Sequence, residues 1–202
     1  MALWYQRADD AAEVRPSAED RLPPGQYLTE KWPVLHVGPV PRFDPKTWDF
    51  RVTGLVERPL RLTWDEFNIL PRVKSVSDIH CVTTWSRYDN TWEGVGTREV
   101  LARARAKPEA RFVLVRAEND YTANLPLEAF LAEGALFATH HNGAPLEPDH
   151  GHPLRLVVPT LYFWKSAKWV RGVEVMAEDR LGFWEERGYS NGADPLKEER
   201  YW

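Results

Sequence analysis

The sequence predicts one α+β domain that is mainly β, with a few short helices. Several short segments alternate apolar and polar residues, as 48–54 does, and this two-residue period indicates half-buried strands. Sixteen prolines and ten tryptophans in 202 residues favour short strands and rigid loops over a helical bundle. A chain of this length buries enough surface to form a substantial core.

The predicted elements begin after residue 47. Thr63 and Glu66 have the spacing of a capping box, which opens a short helix, and Pro71 ends that helix. The remaining elements are predicted from apolar periodicity and from turn residues. Strands are predicted over 48–54, 72–79, 112–115, 136–141, 154–158 and 169–176, and helices over 63–70, 98–106 and 127–132.

Residues 1–47 differ from the rest of the chain. Prolines and charged residues interrupt every regular pattern there. The segment nevertheless contains apolar side chains such as Trp32 and Phe43, which a free linker would normally lack. The sequence therefore predicts an extended N-terminal arm over 1–47 that packs on a domain formed by 48–202.

Composition and charge exclude several classes of protein. A net charge of −4 gives no reason to expect binding to nucleic acid or to an anionic membrane surface. One cysteine cannot form an intramolecular disulfide. The first residues are acidic where a secretory signal needs an apolar run, and no apolar run of 18 residues provides a membrane span. We therefore expect a cytoplasmic protein.

Cys81 is the first candidate for chemistry because it is the only thiol. Free cysteines are commonly buried and inert, but Cys81 follows a predicted strand and precedes a polar loop, 82–87. His80 and Arg87 offer positive charge, which favours a thiolate. A thiolate at a strand end suits a soft, high-valent metal or a nucleophilic role.

A second group of residues lies between 150 and 169. Arg155, Ser166 and Lys168, with the backbone N–H groups of their loop, match what a phosphate or a polar pterin requires. Two cations near a loop are more often a solvated surface, so this group is weak evidence on its own.

Four histidines suggest a different site, for zinc or non-haem iron. His140, His141, His150 and His152 lie close in sequence, and Asp149 offers a carboxylate for a facial triad. His140 and His141 are adjacent on a predicted strand and point to opposite faces, so at most one of them can join such a site. This alternative is the weaker one.

Two segments together carry a resemblance that neither carries alone. His80-Cys81-Val-Thr-Thr-Trp-Ser86 and the pattern His-Gly-x-Pro-x-Arg-x-x-x-Pro…Lys-Trp at 150–169 resemble the cofactor domain of the sulfite oxidase family. That family includes a bacterial branch typified by the catalytic subunit of the periplasmic methionine sulfoxide reductase. The resemblance spans nearly all of residues 32–192. It implies a sulfite oxidase-type molybdopterin-binding domain with mixed sheets and short helices, and a molybdenum–molybdopterin cofactor.

The resemblance also implies roles for individual residues. Cys81 matches the cysteine whose sulfur ligates molybdenum. The residues that match the pterin and phosphate contacts are His150, Arg155 and Lys168, with loop contacts from Ser166 and Ala167.

Three further positions bear on the substrate and on the cofactor. His36 falls where the family usually has asparagine, in a segment that lies over the pterin. Tyr189 matches the tyrosine that lies close to the metal in sulfite oxidases. Leu35 stands where sulfite oxidases have an arginine of their oxyanion pocket, which argues against sulfite as the substrate.

The function implied is two-electron oxygen-atom transfer on a small molecule other than sulfite. The haem and dimerisation domains of the larger relatives are absent from this sequence, so electrons are expected to pass to or from a separate partner. Two alternatives remain. One is a thiol-dependent hydrolase using Cys81, for which the adjacent His80 is badly placed as a base. The other is a non-catalytic pterin-binding protein.

Overall fold

The fold is seen in a computed structural model that describes residues 21–202. The predicted absence of a secretory signal and the start of the predicted arm, residues 1–20, lie outside the described residues. In chain order the strands are β1 (Tyr27–Leu28), β2 (Asp49–Gly54), β3 (Leu60–Thr63), β4 (Arg72–His80), β5 (Trp85–Gly96), β6 (Phe112–Ala117), β7 (Thr122–Pro126), β8 (Leu136–His141), β9 (Ala144–Pro145), β10 (Arg155–Val157) and β11 (Val170–Met176). The helices are α1 (Trp64–Asn68), α2 (Thr97–Ala104) and α3 (Leu127–Phe130), with 3₁₀ turns at Pro148–His150, Phe163–Lys165 and Glu185–Arg187.

The strands form two mixed sheets. In the first sheet the order is β1–β5–β8–β10, with β4 paired to β5 and β9 paired to β8. In the second sheet the order is β3–β2–β11–β6–β7. Only the β1–β5 and β11–β2 pairs are parallel within the described residues. The predicted class, mainly β within α+β with mixed sheets and short helices, is confirmed.

The larger hydrophobic core combines side chains from both sheets. At its centre the rings of Phe50, Phe67 and Phe137 meet at tilted or edge-on angles, with centroids 5.0 to 6.4 Å apart. Phe130 adds a fourth ring, 5.9 Å from Phe137. These four side chains are fully buried. They join α1 and α3 to the two sheets.

Local sequence signals located several elements correctly. Thr63 and Glu66 form both halves of the predicted capping box at the start of α1. The second helix begins at Thr97 and ends at Ala104, two residues before the predicted end. It stops there because Arg105 adopts a left-handed conformation.

The prediction of a polar loop after Cys81 is wrong from residue 85 onward, where β5 begins. This strand is the centre of the first sheet, yet its sequence is polar and contains Gly94. That glycine is required by the sheet, because a β-carbon at position 94 would lie 1.9 Å from the carbonyl oxygen of Phe137. The large apolar residues of this strand lie three or four positions apart, at 85, 88, 92 and 95, so it lacks the alternation by which strands are recognised.

The segment 21–47 contains the two-residue strand β1 and makes specific contacts with later residues. The Arg21 guanidinium donates to the Asp78 carboxylate at 2.8 Å, and Gln26 donates to the Cys81 carbonyl oxygen at 3.0 Å. The division of the chain at residue 47 stays a prediction. No helix within residues 21–202 is long and apolar enough to span a membrane.

Truncation of the central core ring tests this packing. We expect Phe137→Ala to lower the free energy of unfolding by about 3–5 kcal/mol, because it removes a buried ring that touches three others. Urea unfolding followed by circular dichroism measures the change. Ile69→Ala, at an 83% exposed position, is the control and should change stability by less than about 0.5 kcal/mol. A loss below about 1 kcal/mol for Phe137→Ala would contradict the assignment of the core.

Candidate active site

A cavity of about 360 Å³ opens between the end of β4 and the segments that flank β10. It is lined by residues from 32–37, 81–85, 163–169 and 184–189, together with Tyr121 and Arg155. Most of the lining is aromatic or aliphatic. Four separate stretches of the chain therefore meet around one space.

Cys81 lies at the turn that joins β4 to β5. Its N–H donates to the Trp85 carbonyl oxygen at 2.9 Å, and its own carbonyl accepts from the N–H of Thr84 at 3.0 Å. Thr84 has a positive φ of 75°, which closes the turn. The thiol lines the cavity with its sulfur 3.1 Å from the Thr83 hydroxyl oxygen. The turn thus presents the sulfur to the cavity on a rigid backbone.

The surroundings of Cys81 favour the protonated thiol when no metal is bound. Burial raises the pKa of the Cys81 thiol, and hydrogen bonds from Thr83 and the charge of Arg200 offset only part of this rise. The expectation that His80 supplies positive charge is wrong. Its Nδ1 lies 2.9 Å from the Ser86 hydroxyl, and burial lowers the pKa of His80, which favours the neutral ring. The second cation named from the sequence, Arg87, donates to the Asn90 side chain and to the Glu30 carbonyl oxygen.

Arg155 carries a guanidinium into the interior of the protein. It is 1% exposed, and it donates to the carbonyl oxygens of His150 at 2.9 Å and Ser166 at 3.0 Å. Its Nε has no partner, and within residues 21–202 it forms no ion pair with a carboxylate. Burial lowers the pKa of Arg155 to about 9. A buried cation in this state requires an anion.

A second cation and two stacked rings lie beside Arg155. The Lys168 ammonium donates to the Asp149 carbonyl oxygen at 2.6 Å, and burial together with the charge of Arg155 lowers the pKa of Lys168 to about 7. The Trp32 indole stacks on the His150 ring at 3.8 Å between centroids. Burial lowers the pKa of His150 to about 4, and its Nδ1 is buried without a partner.

The structure brings most of the predicted site residues into one place. Seven of the eight predicted site residues line the cavity, namely Cys81, His36, Arg155, Ser166, Ala167, Lys168 and Tyr189. His150 lies behind this lining, in contact with Arg155 through its carbonyl and with Trp32 through its ring. The Ser166 hydroxyl accepts from the N–H of Val158 at 3.0 Å, and so it is engaged within the fold.

His36 and Tyr189 stand on two other walls of the cavity. The His36 ring lies edge-on to Trp169 at 5.1 Å, and its Nδ1 is 2.9 Å from the Gly38 carbonyl oxygen. Tyr189 packs against Trp184 at 4.8 Å and Trp164 at 5.1 Å. Burial raises the pKa of Tyr189, so its phenol stays protonated.

The histidine alternative receives no support from the geometry. No group of three or more metal-ligating side chains lies together within residues 21–202. The Nδ1 of His140 is 2.8 Å from the Thr139 hydroxyl, and the Nε2 of His141 is 3.0 Å from the Asn90 side-chain oxygen. These rings serve as structural parts of the sheet and the aromatic cluster.

Several residues in the cavity wall or behind it were not identified from the sequence. Tyr121 donates to the Trp164 carbonyl oxygen at 2.6 Å, and Lys165 forms a fully buried ion pair with Glu185 at 2.7 Å. Each of these partners is distant in sequence, so no local pattern links them. The high tryptophan content was the only available signal, and it does not distinguish cavity walls from core.

A cavity of this size, beside a buried cation that has no counterion among residues 21–202, is suited to a large anionic organic group. The site is therefore that of a protein that binds an organic cofactor. The chain belongs to the family of oxidoreductase molybdopterin-binding domains, whose sequence profile matches residues 37–184.

Similar proteins agree with this membership. YuiH of Bacillus subtilis (strain 168), named as an oxidoreductase, is 49% identical over 182 residues, which cover 90% of this chain and 92% of YuiH. YedZ1 of Azospira oryzae, provisionally named as a protein-methionine-sulfoxide reductase subunit, is 28% identical over 73% of this chain and 56% of its own. Human mitochondrial sulfite oxidase is 28% identical over 83% of this chain, but this covers only 37% of the human protein.

The fold is also found among solved structures. The sulfane dehydrogenase SoxCD of Paracoccus pantotrophus superimposes with a TM-score of 0.65 over 94% of this chain and 61% of that chain, at 19% identity. The predicted family, the oxidoreductase class and the molybdenum–molybdopterin cofactor are confirmed by these comparisons.

The half-buried His141 gives the protein a measurable dependence on pH. Burial and the charge of Arg87 lower the pKa of His141 to about 3, whereas an unfolded histidine titrates near 6.5. Between these values the unfolded chain binds a proton that the folded chain does not bind. The contribution of His141 to the free energy of unfolding is therefore fully present above pH 6.5 and is lost as the pH falls through this window.

We expect His141→Gln to remove this contribution. For the cofactor-free protein, the slope of the unfolding free energy between pH 6 and pH 4 should fall by up to about 1.4 kcal/mol per pH unit, the value for one proton. Urea unfolding at several pH values measures the slope. An unchanged slope would show that His141 binds its proton equally well in the folded and in the unfolded chain.

Proposed function

We propose that this protein catalyses two-electron oxygen-atom transfer at a molybdenum–molybdopterin cofactor, on a small neutral substrate other than sulfite. The observation that carries the proposal is Arg155, a fully buried cation with an unpartnered Nε beside the cavity that contains the only thiol. Electrons are exchanged with a separate redox partner.

The residues present fit the cofactor. A phosphate group on the pterin supplies the anion that Arg155 and Lys168 lack, and a guanidinium binds phosphate with two parallel hydrogen bonds. Cys81 offers the soft donor that molybdenum prefers to harder ligands. When bound, the cofactor supplies the oxygen-transfer and electron-transfer chemistry.

The protein's own residues bind and orient the cofactor. Cys81 would ligate the metal, from a turn that the hydrogen bonds to Trp85 and Gln26 hold in place. Arg155 and Lys168 would hold the phosphate. The stacked Trp32 and His150 rings lie alongside the Arg155 end of the cavity and exclude water from it.

The remaining predicted residues have lesser roles. Ser166 and Ala167 accept hydrogen bonds from Arg155 and Leu156, so they position the phosphate-binding side chain through the backbone. His36 would contact the pterin from the opposite wall. Tyr189 keeps its proton and would donate a hydrogen bond near the reacting centre.

Charge at the cavity argues for a neutral substrate. The cations in the lining are Arg155 and Lys168, both of which are assigned to the cofactor phosphate. The rest of the lining is largely aliphatic or aromatic, with Leu35, Trp164 and Trp184 among its residues, and Arg200, whose charge acts on Cys81, is not part of it. An anion such as sulfite would lose its hydration there without gaining a charged partner in the lining.

The separate redox partner is part of the proposal, and no haem attachment motif occurs in the given sequence. The chain spans 37% of human sulfite oxidase and 56% of YedZ1. The cytoplasmic location expected from the first residues stays a prediction.

Metal analysis tests the cofactor and its ligand together. Protein purified from a host that makes molybdopterin should contain close to one molybdenum per chain by plasma mass spectrometry. Cys81→Ser should lose the metal or bind it weakly while its circular dichroism stays that of the wild type. Zinc or iron in place of molybdenum would overturn the proposal.

A second variant in the same experiment tests the buried cation, Arg155. Arg155→Met removes charge-assisted hydrogen bonds, each worth about 1.5–3 kcal/mol, so cofactor retention should fall by roughly 10- to 100-fold. Arg98→Met is the matched control, since Arg98 is exposed and donates only to the Leu131 carbonyl oxygen among the described residues. Equal molybdenum in both variants would remove Arg155 from the phosphate site.

The substrate class is tested by comparing a neutral oxygen donor with sulfite. Reduction of dimethyl sulfoxide by reduced benzyl viologen should proceed with a kcat/KM at least tenfold above that for sulfite oxidation by ferricyanide. The reason is that desolvation of an anion is not compensated in the aromatic part of the cavity. Faster turnover of sulfite would show that the cavity does hold an anion near the metal.

A further inference from the structure

A buried ion pair lies behind the aromatic wall of the cavity. The Lys165 ammonium and the Glu185 carboxylate are 2.7 Å apart, and both side chains are fully buried. Removing two charges from water is costly, and apolar residues of similar size are often as stabilising as such a pair. Stability alone therefore gives no reason for these residues, and their contacts indicate a different role.

The first contact is with Trp164. The same Glu185 oxygen, Oε1, that meets Lys165 also accepts a hydrogen bond from the Trp164 indole N–H at 2.7 Å. Trp164 lines the cavity, and its backbone carbonyl accepts from Tyr121 at 2.6 Å. One end of the indole is thus held by the carboxylate, and the backbone is held by the phenol.

Glu185 also belongs to the segment that supplies the rest of this wall. It opens the turn Glu185–Arg187, between Trp184 and Tyr189, and both of these residues line the cavity. The Tyr189 N–H donates to the Trp184 carbonyl oxygen at 3.1 Å across this turn. The Tyr189 ring in turn lies edge-on to Trp164 at 5.1 Å. The carboxylate therefore joins two aromatic segments that are about 20 residues apart.

Lys165 connects the Glu185 carboxylate to the second sheet. Its ammonium donates to both the backbone carbonyl and the side-chain oxygen of Asn124 in β7, each at 2.9 Å. Gly182 makes room for the carboxylate, because a β-carbon there would lie 2.6 Å from Oε2 of Glu185. The side chains involved are buried and come from three separate stretches of the chain.

We propose that Lys165 and Glu185 are positioning residues that hold Trp164 and Tyr189 as a fixed wall on which the apolar substituent of the substrate rests. The pair then determines which neutral substrates bind well, without touching them. This inference rests on the proposed function, because it assumes that the wall faces a substrate.

Two variants test the proposal without leaving a buried charge unpaired. The double variant Lys165→Met, Glu185→Leu removes both charges together, which preserves stability better than removing one of them. Trp164→Phe keeps the ion pair and a ring but removes the indole N–H. Trp64→Phe, a half-buried tryptophan that does not line the cavity, is the matched control.

The first measurement requires no turnover. In ¹H–¹⁵N spectra of the protein, the Trp164 indole signal is identified by its loss in Trp164→Phe. We expect its hydrogen exchange to be at least tenfold faster in the double variant, while the indole signals of core tryptophans such as Trp48 are unchanged. Exchange at the wild-type rate would overturn the positioning role.

The second measurement compares two neutral oxygen donors, dimethyl sulfoxide and the larger methyl phenyl sulfoxide, with reduced benzyl viologen. In the double variant and in Trp164→Phe, the ratio of KM for the larger donor to KM for the smaller donor should rise at least fivefold above that of the wild type. Molybdenum content and Trp64→Phe should match the wild type. Equal changes in KM for both donors, or a loss confined to kcat, would overturn the specificity role.

The two measurements separate this inference from the proposed function. A wild-type protein that contains no molybdenum or reduces neither donor would contradict the proposed function. The part of the inference that concerns substrates would then be wrong as well. The exchange rate of the Trp164 indole would still decide whether Lys165 and Glu185 position the wall.

Discussion

Arg155 carries a positive charge into a part of the protein from which water is excluded, and several segments are arranged around it. The guanidinium draws the carbonyl oxygens of His150 and Ser166 towards itself, which brings the turn before β10 and the loop after it to one side of the cavity. The ring of Phe163 lies under it, with 4.1 Å between the ring centroid and the guanidinium carbon. Because carbonyl dipoles and rings compensate only part of the charge, an anion in the cavity would stabilise the folded chain.

The position and the ionisation of the Cys81 sulfur are controlled by different interactions. Its turn is fixed by backbone hydrogen bonds, so its position does not depend on the cofactor, whereas its ionisation does. A metal that binds the thiolate replaces the proton and reverses the effect of burial. With Cys81 as the proposed metal ligand and Arg155 in the proposed phosphate site, cofactor binding would compensate two unfavourable groups at once, a buried cation and a desolvated sulfur.

Elements with a local signal were predictable from the sequence, and those that depend on distant contacts were not. The capping box of α1 and the strands β4 and β8 each follow from the residues within them. The strand β5 does not, because its apolar residues do not alternate and its Gly94 is explained only by the close approach of β8. The same division holds for the site. Residues from both motifs line one cavity, whereas no local pattern predicts that Lys165 and Glu185, 20 residues apart, form a pair.

One wall of the cavity comes from residues 32–37, which reach it before the chain has entered the second sheet. Their contacts with the rest of the protein include the stacking of Trp32 on His150 and the hydrogen bonds from Asn119 to the Val37 and Pro39 carbonyl oxygens. A segment outside the strands, fastened by single contacts of this kind, opens at a lower free energy than the sheets do. This wall of the cavity is therefore the part that can separate from the domain without breaking any hydrogen bond between strands.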